Sequence, residues 1–118
     1  NADKLGVWEL SSAITTLAQK ARSKKLAMDD LSGGTFTISS LGAVGGSGFT
    51  PIVNAPEVAI LGVAKAHAAP VWDGRAFQRR QMLPLSLSYD HRVINGVDGG
   101  RFMLALTEIL SDMRRLAL

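Results

Sequence analysis

The chain has 118 residues, a formal net charge of +3 at pH 7 and no cysteine. This length predicts at most one domain, able to bury roughly two thirds of its unfolded surface, and the composition excludes disulfide bonds and a thiolate nucleophile. No apolar run approaches a membrane span, and the basic residues are not interleaved with aromatic ones as in nucleic-acid-binding proteins. We therefore expect neither a membrane nor a nucleic acid as partner.

The first predicted element is a helix from Val7 to Leu26, because its apolar residues recur at helical spacing. Asp3 is a candidate cap for its N terminus. Basic residues crowd its last turns, where cations complement the carbonyl end of a helix. A solvated helix end explains these charges better than a phosphate-binding site does.

Turn residues at 29–34 lead into a predicted strand at 35–40. Phe36 and Ile38 share its apolar face, so Ser39 is expected near the strand end on the opposite face. The glycine-rich loop that follows has neither the spacing of a phosphate-binding loop nor that of a nucleophile elbow. A flexible connection is the favoured interpretation of that loop.

A continuously apolar run at 57–64 predicts a strand buried on both faces. Asp73 and Gly74 are typical of a two-residue hairpin turn, and the hairpin is expected to lead back into a long strand that ends at Tyr89. His67 stands among alanines without a titratable neighbour. We interpret it as a packed or surface histidine.

The stretch 83–101 combines a period-two strand with a histidine and three glycines, and a helical pattern then runs from Asp98 to Leu118. His91 therefore lies on a short turn between a buried strand and a helix. A titratable side chain held in this way is both fixed and reachable. On residue types alone, however, a structural histidine is the commoner outcome.

Three segments in order, at 34–42, 49–62 and 90–102, carry a resemblance to a known family. The chain resembles the catalytic domain of the dihydrolipoamide acyltransferases of 2-oxoacid dehydrogenase complexes, most closely the bacterial pyruvate dehydrogenase type. This family shares its fold with chloramphenicol acetyltransferase. The resemblance implies an α/β fold with a mixed β-sheet and flanking helices, in which residues 1–118 form the C-terminal half of the catalytic domain.

The resemblance also implies a reaction, the transfer of an acetyl group between dihydrolipoyl-lysine and coenzyme A. His91 matches the general base that deprotonates the thiol, and Ser39 matches the hydroxyl that stabilises the oxyanion, with Ser40 as the alternative if the register is shifted by one. Sites of this family form between subunits, so His91 and Ser39 are expected to come from different chains. Asn95, where most of the family has aspartate, is expected to position the histidine's loop.

The resemblance further implies partners. Coenzyme A and lipoyl-lysine are substrates, with the lipoyl group on a separate domain, and we expect neither a covalently bound cofactor nor a metal site. The chain is expected to form a homotrimer that assembles into a larger core of about 24 subunits. Decarboxylase and dihydrolipoamide dehydrogenase components complete the implied cytoplasmic complex.

Three alternatives stay open. In the first alternative, the chain transfers a succinyl or branched-chain acyl group, as related acyltransferases do. In the second alternative, the fragment is inactive alone and serves as an assembly module, using the apolar C-terminal residues Leu116, Ala117 and Leu118. Another enzyme uses a His-x-x-x-Asp/Asn-Gly motif to acylate a hydroxyl or an amine, although the two other matching segments disfavour this.

Overall fold

The computed structural model describes residues 2–44 and 46–116, apart from the side chains of Met113 and Leu116. In chain order, the main elements are α1 (Val7–Arg22), β1 (Thr37–Ser40), β2 (Ala59–Val63), β3 (His67–Trp72), β4 (Phe77–Met82), β5 (Leu85–Tyr89) and α2 (Gly96–Ser111). Four short 3-10 helices span Ala2–Lys4, Met28–Leu31, Gly42–Val44 and Met113–Leu116. Neither α1 nor α2 has the length and apolar character needed to cross a membrane, and the same holds for every other helix within the described ranges.

The first of two compact units, Asn1–Gly34, contains α1. The helix begins at the predicted residue but ends at Arg22, four residues earlier than expected, because Lys24 adopts a left-handed backbone conformation with φ of 57°. Lys20, near the helix end, forms an exposed ion pair with Asp30 at 3.2 Å. This pairing is consistent with the predicted solvated helix end.

The N-terminal cap of α1 differs from the prediction. Gly6 is the N-cap, and its backbone N–H donates to Glu9 Oε2 at 2.8 Å. Asp3, the predicted cap, lies instead within the preceding 3-10 helix. The glutamate at the third helical position thus satisfies the backbone N–H of the N-cap residue itself.

The second unit, Thr35–Leu118, contains a three-stranded mixed sheet of order β1-β2-β5. The central strand β2 runs parallel to β1 and antiparallel to β5. Its apolar run is buried as predicted, and among the described residues the hydrophobic core comprises Ala59, Ile60, Leu61 and Ala64. The predicted α/β class with a mixed sheet is confirmed.

Helix α2 lies against one face of this sheet. The ring of Tyr89, on β5, packs against Gly99 of the helix. Phe36, just before β1, packs on Phe102 with ring centroids 5.8 Å apart. Because side chains alternate along a strand, the leucines of β5 share this face with Tyr89, as the period-two pattern predicted.

The segment at 49–51 covers the opposite face at Gly62. A Cβ atom at this position would lie 3.0 Å from Phe49 and 3.1 Å from Pro51. A side chain at this position would push the segment away from the central strand by a few tenths of an ångström, so glycine favours this close approach.

Strands β3 and β4 form the predicted hairpin, but its loop is longer than expected. The last cross-strand pair is Trp72 with Phe77, and Asp73 N–H donates to the carbonyl of Ala76 at 3.1 Å. The Asp73 carboxylate also accepts two backbone N–H groups of the loop, which lower its pKa. These side-chain bonds favour a four-residue loop over the predicted two-residue turn.

The long strand predicted to end at Tyr89 is two strands in different sheets. β4 ends at Met82 and pairs with β3, whereas β5 begins at Leu85 and pairs with β2. Pro84 separates them because it has no N–H to continue a ladder. Its carbonyl accepts a hydrogen bond from Ala64 N–H at 3.1 Å, which ties the break to the end of β2.

Helix α2 begins two residues before the predicted start, at Gly96, because Asn95 is its N-cap. It ends at Ser111, and a 3-10 helix follows instead of the predicted continuation. Ala117 and Leu118, which belong to the predicted assembly segment, lie outside the described residues.

Candidate functional site

His91 lies in a tight turn that joins β5 to α2. Asp90 N–H donates to the carbonyl of Val58 at 2.8 Å, which anchors the turn beside the start of β2. The Asp90 carbonyl accepts from the N–H groups of Val93 and Ile94, both at 3.0 Å. The turn therefore has a fixed backbone, while the His91 side chain is exposed, as the sequence predicted.

An ion pair brackets the histidine. Arg92 donates to the Asp90 carboxylate through Nε at 2.9 Å, through a terminal nitrogen at 2.6 Å and through its backbone N–H at 3.0 Å. These bonds lower the pKa of Asp90 to about 2. Asp90 is thus an ionised turn residue and not a proton acceptor at neutral pH.

Asn95 holds the start of the helix that follows the turn. Its side-chain Oδ1 accepts from Asp98 N–H at 2.9 Å, and its Nδ2 donates to Asp98 Oδ2 at 2.7 Å. These bonds use both ends of the amide and fix its orientation. Asn95 therefore ties the histidine turn to α2 through backbone capping.

Tyr89 is a neighbour of the histidine that the sequence analysis did not assign to the site. Its ring centroid lies 5.8 Å from that of His91, at an interplanar angle of 41°. The signal was present in the sequence: an aromatic residue closes the strand two positions before His91, and a glycine pair, Gly99 and Gly100, opens space in the helix. Neither feature alone shows that the two groups meet.

Ser39 occupies the third position of β1 and is half-buried, whereas Ser40 is exposed. Ser39 pairs with Gly62 of β2. The Ser40 hydroxyl instead accepts from Gly42 N–H at 3.2 Å, in the loop after the strand. Ser39 faces away from Ile38 as expected, although the Ile38 side chain is 66% exposed and not covered by the described residues.

A single chain does not bring Ser39 and His91 together. Ser39 belongs to the cross-strand row that contains Gly62 and Ser86, whereas Tyr89, which precedes the histidine turn, pairs with Ala59. The two rows are three residues apart, about 10 Å along β2, and their side chains point to opposite faces.

The other histidine, His67, lies outside this region. His67 is exposed in β3, and its Nδ1 lies 3.4 Å from the carbonyl oxygen of Lys65. Within residues 2–44 and 46–116, no group of three or more histidine, aspartate or glutamate side chains is arranged to hold a metal ion.

Comparison with known proteins gives one family. The model of the 2-oxoacid dehydrogenases acyltransferase (catalytic domain) matches residues 1–118. The dihydrolipoyllysine-residue acetyltransferase component of the pyruvate dehydrogenase complex from Pseudomonas aeruginosa is 61% identical over 100% of this chain and 22% of that protein. The component of the same description from Azotobacter vinelandii is 60% identical over 100% of this chain and 18% of that protein. The chain thus spans about a fifth of these relatives.

Solved structures agree with this result. Dihydrolipoamide acetyltransferase from Azotobacter vinelandii matches with a TM-score of 0.95 and 59% identity, over 100% of this chain and 49% of that one. That structure comes from crystallographic and enzymatic investigations of the role of a serine, a histidine and an asparagine in its catalytic mechanism. The cubic core of the pyruvate dehydrogenase multienzyme complex matches with a TM-score of 0.96 and 60% identity, again over 49% of the solved chain.

Proposed function

The chain belongs to the catalytic-domain family of the 2-oxoacid dehydrogenase acyltransferases, and from this premise we propose that it transfers an acetyl group between dihydrolipoyl-lysine and coenzyme A. The relatives from Pseudomonas aeruginosa and Azotobacter vinelandii are both acetyltransferase components of pyruvate dehydrogenase complexes. Their names favour acetyl over the succinyl and branched-chain alternatives. The third alternative, acylation of a hydroxyl or an amine, has no support from them.

One observation carries the assignment of the residues. In the Azotobacter protein the serine precedes the histidine by 52 residues and the asparagine follows it by four. The same separations divide Ser39, His91 and Asn95 in this chain. The asparagine, which departs from the aspartate of most of the family, is therefore shared with that relative.

The proposed chemistry begins at the thiol of coenzyme A. A free thiol is only a few per cent ionised at neutral pH, and the thiolate is the nucleophile. The imidazole of His91 accepts the thiol proton, and the sulfur attacks the carbonyl carbon of acetyl-dihydrolipoyl-lysine. The hydroxyl of Ser39 donates to the oxyanion that forms. When the tetrahedral intermediate collapses, the dihydrolipoyl sulfur leaves and takes the proton back from the imidazolium.

This chemistry requires two chains. Because Ser39 and the turn that carries His91 lie at opposite ends of one sheet, and Ser39 and Tyr89 point to opposite faces, the serine that serves a given histidine belongs to another copy. We propose a homotrimer as the active unit, built into a core of about 24 subunits. The solved cubic core supports this, since a cubic arrangement contains threefold axes.

Residues 1–118 are proposed to be the C-terminal half of the catalytic domain. The four buried hydrophobic residues found within 2–44 and 46–116 are a small core for a chain of this length. Large apolar side chains in the second unit stay exposed, among them Ile38 at 66%, Val93 at 65% and Leu104 at 61%. The matched solved chains are about twice as long, so a second half is available to cover this surface.

The proposed setting follows from the family. Coenzyme A and a lipoyl-lysine carried on a separate domain are the substrates, and no covalently bound cofactor is assigned to this segment. The decarboxylase and dihydrolipoamide dehydrogenase components of a pyruvate dehydrogenase complex are the proposed partners, in the cytoplasm. Activity of residues 1–118 alone is not part of the proposal. An inactive fragment that serves as an assembly module is the second candidate, on the grounds of the same exposed apolar surface.

The test is acetyl-coenzyme A formation from coenzyme A and acetyl-dihydrolipoamide by the complete catalytic domain. His91→Ala is expected to lower turnover by at least about a hundredfold, the usual contribution of a general base. His67→Ala is the matched control, since it removes the chain's other histidine, which is also exposed. Full activity of a folded His91→Ala domain contradicts the proposed mechanism.

Running residues 1–118 in the same assay separates the two candidate functions. An inactive fragment that still associates with itself in gel filtration favours the assembly module, and turnover by the fragment excludes it.

A further inference from the structure

Tyr89 has a fixed position at the end of β5. Its backbone pairs with that of Ala59, a residue of the central strand that is 7% exposed. The next residue, Asp90, continues the attachment by its hydrogen bond to Val58. The Tyr89 side chain therefore starts from a well-anchored point of the sheet.

The ring of Tyr89 fills a space that α2 leaves open. Gly99 is buried, and a Cβ atom there would lie 2.9 Å from Tyr89 Cε1 and 3.3 Å from Cζ. A Cβ atom at Gly96 would lie 3.8 Å from the Tyr89 hydroxyl. At the adjacent Gly100, in contrast, a Cβ atom would meet nothing within 4 Å. The helix is thus adapted to the tyrosine at one glycine and not at its neighbour.

The same ring packs against the imidazole of His91. A centroid separation of 5.8 Å lies within the range of aromatic pairs. Among residues 2–44 and 46–116, no side chain or backbone group forms a hydrogen bond with either ring nitrogen of His91. The aromatic pair with Tyr89 is therefore a described contact through which this ring can be oriented.

We propose that Tyr89 is a positioning residue for His91: its ring packs against Gly99 of α2 and determines where the imidazole lies. This inference rests on the proposed function, in which the imidazole removes the thiol proton. Tyr89 acts through His91 and needs no contact with substrate. A displaced imidazole is expected to slow the chemical step, because misplacement by about 1 Å can cost about a hundredfold in rate.

The experiment compares Gly99→Ala with Gly100→Ala in the complete catalytic domain. Both changes add one methyl group to the same helix, so the gain in helix propensity is common to both. Gly99→Ala is expected to lower kcat by about tenfold to a hundredfold with little change in KM for coenzyme A, whereas Gly100→Ala keeps kcat within about twofold. Carbon-bound ring proton resonances of His91 are expected to shift in Gly99→Ala and to stay in Gly100→Ala.

If Gly99→Ala does not fold, a second pair of variants tests whether Tyr89 positions His91. Tyr89→Phe keeps the ring and is expected to retain wild-type kcat, and Tyr89→Leu removes the ring and is expected to lower kcat and move the His91 resonances. Wild-type kcat with unmoved His91 resonances in folded Gly99→Ala or Tyr89→Leu overturns the inference.

His91→Ala, assayed in parallel, distinguishes failure of the positioning role of Tyr89 from failure of the proposed function. If that variant is inactive while Gly99→Ala and Tyr89→Leu resemble wild type, the positioning role fails and the proposed function stands. If His91→Ala is fully active, the proposed function fails, and the catalytic positioning role of Tyr89 fails with it. A shift of the His91 resonances in the Tyr89 or Gly99 variants would not change that conclusion.

Discussion

Ser39 and His91 lie at opposite ends of the three-stranded sheet, with the central strand β2 between the strands that lead to them. Within one copy, about 10 Å of strand separates the row of Ser39 from that of Tyr89, the residue that leads into the histidine turn, and the side chains of these two rows point to opposite faces. If both act in one reaction, each site combines the histidine of one chain with the serine of another.

A shared site predicts complementation between two inactive variants. In a random equal mixture of His91→Ala and Ser39→Ala chains, about a quarter of the interfaces in a cyclic trimer pair an intact serine with an intact histidine. Mixing after dissociation and reassembly of complete catalytic domains is expected to restore about a quarter of wild-type turnover. The control is reassembly of each variant alone, which restores none. A mixture that stays inactive although mass spectrometry shows mixed trimers places both residues of a site in one chain.

The two adjacent serines of β1 have different expected effects. Ser39→Ala in the complete domain is expected to lower kcat by a factor equivalent to about 2.7 to 4 kcal/mol, the contribution of one oxyanion donor. Ser40→Ala removes only an exposed hydroxyl that accepts from Gly42 N–H, so kcat is expected to stay near wild type. Steady-state kinetics with acetyl-dihydrolipoamide measures both. The reverse pattern shows that Ser40 is the donor and that the assigned register is shifted by one.

How far the sequence predicts this fold depends on how local each signal is. The apolar run of β2 and the alternation of β5 predict their own burial, because each pattern is contained within one strand. Pro84 shows the limit: the alternation continues past it, yet a missing N–H divides the stretch between two sheets. Asp73 shows another limit, since the hydrogen bonds that its side chain accepts favour a four-residue loop over the two-residue turn that the neighbouring glycine suggests.

The motif that suggests the candidate residues is local in the sequence, whereas the contacts that arrange these residues are not. The motif around His91 predicts a turn followed by a helix because both lie within a few positions of each other, although the helix begins two residues earlier, after the cap that Asn95 forms. The separation from Ser39 depends on strand order, which places β2 between β1 and β5 although it precedes β5 by over twenty residues. The contact between Tyr89 and Gly99 likewise depends on the angle at which α2 returns to the sheet.

Asn95 is expected to matter for the stability of α2 through its two bonds with Asp98. Asn95→Ala removes the cap and is expected to lower the free energy of unfolding by about 1 kcal/mol. Asn95→Asp keeps a capping oxygen but places a second carboxylate against that of Asp98, where Nδ2 now donates at 2.7 Å. The repulsion raises the pKa of one carboxyl.

A carboxyl whose pKa is raised on folding destabilises the protein at neutral pH and ceases to do so as the pH falls towards about 4. Urea denaturation at several pH values is therefore expected to show a lower free energy of unfolding for Asn95→Asp than for the wild type, with a difference that shrinks in acid. Asp98→Asn in the same background removes the second charge and is the control. A pH-independent deficit contradicts the arrangement of the two side chains.

The ion pair between Asp90 and Arg92 makes a prediction about titration. The Asp90 pKa is about 2, below its ordinary value of 3.8, chiefly because the Arg92 side chain donates to the carboxylate. A depressed pKa means that the stability from this carboxylate is fully present above pH 3.8 and is lost as the pH falls through about 2. Arg92→Ala is expected to raise the Asp90 pKa towards 3.8, although the backbone N–H at position 92 still holds it lower. Carbon-detected NMR of the side-chain carboxyl measures this shift.

The chain offers a matched control for that measurement at Asp112 and Arg114. This pair has the same spacing and the same pattern, with Arg114 Nε and a terminal nitrogen both 2.8 Å from the carboxylate oxygens, and it lowers the pKa of Asp112 for the same reason. Arg114→Ala is expected to raise the pKa of Asp112 and to leave that of Asp90 unchanged. If Asp90 still titrates near 2 in Arg92→Ala while Asp112 responds to its own substitution, the guanidinium is not what holds the carboxylate beside His91 ionised, and the turn's backbone N–H groups must do so instead.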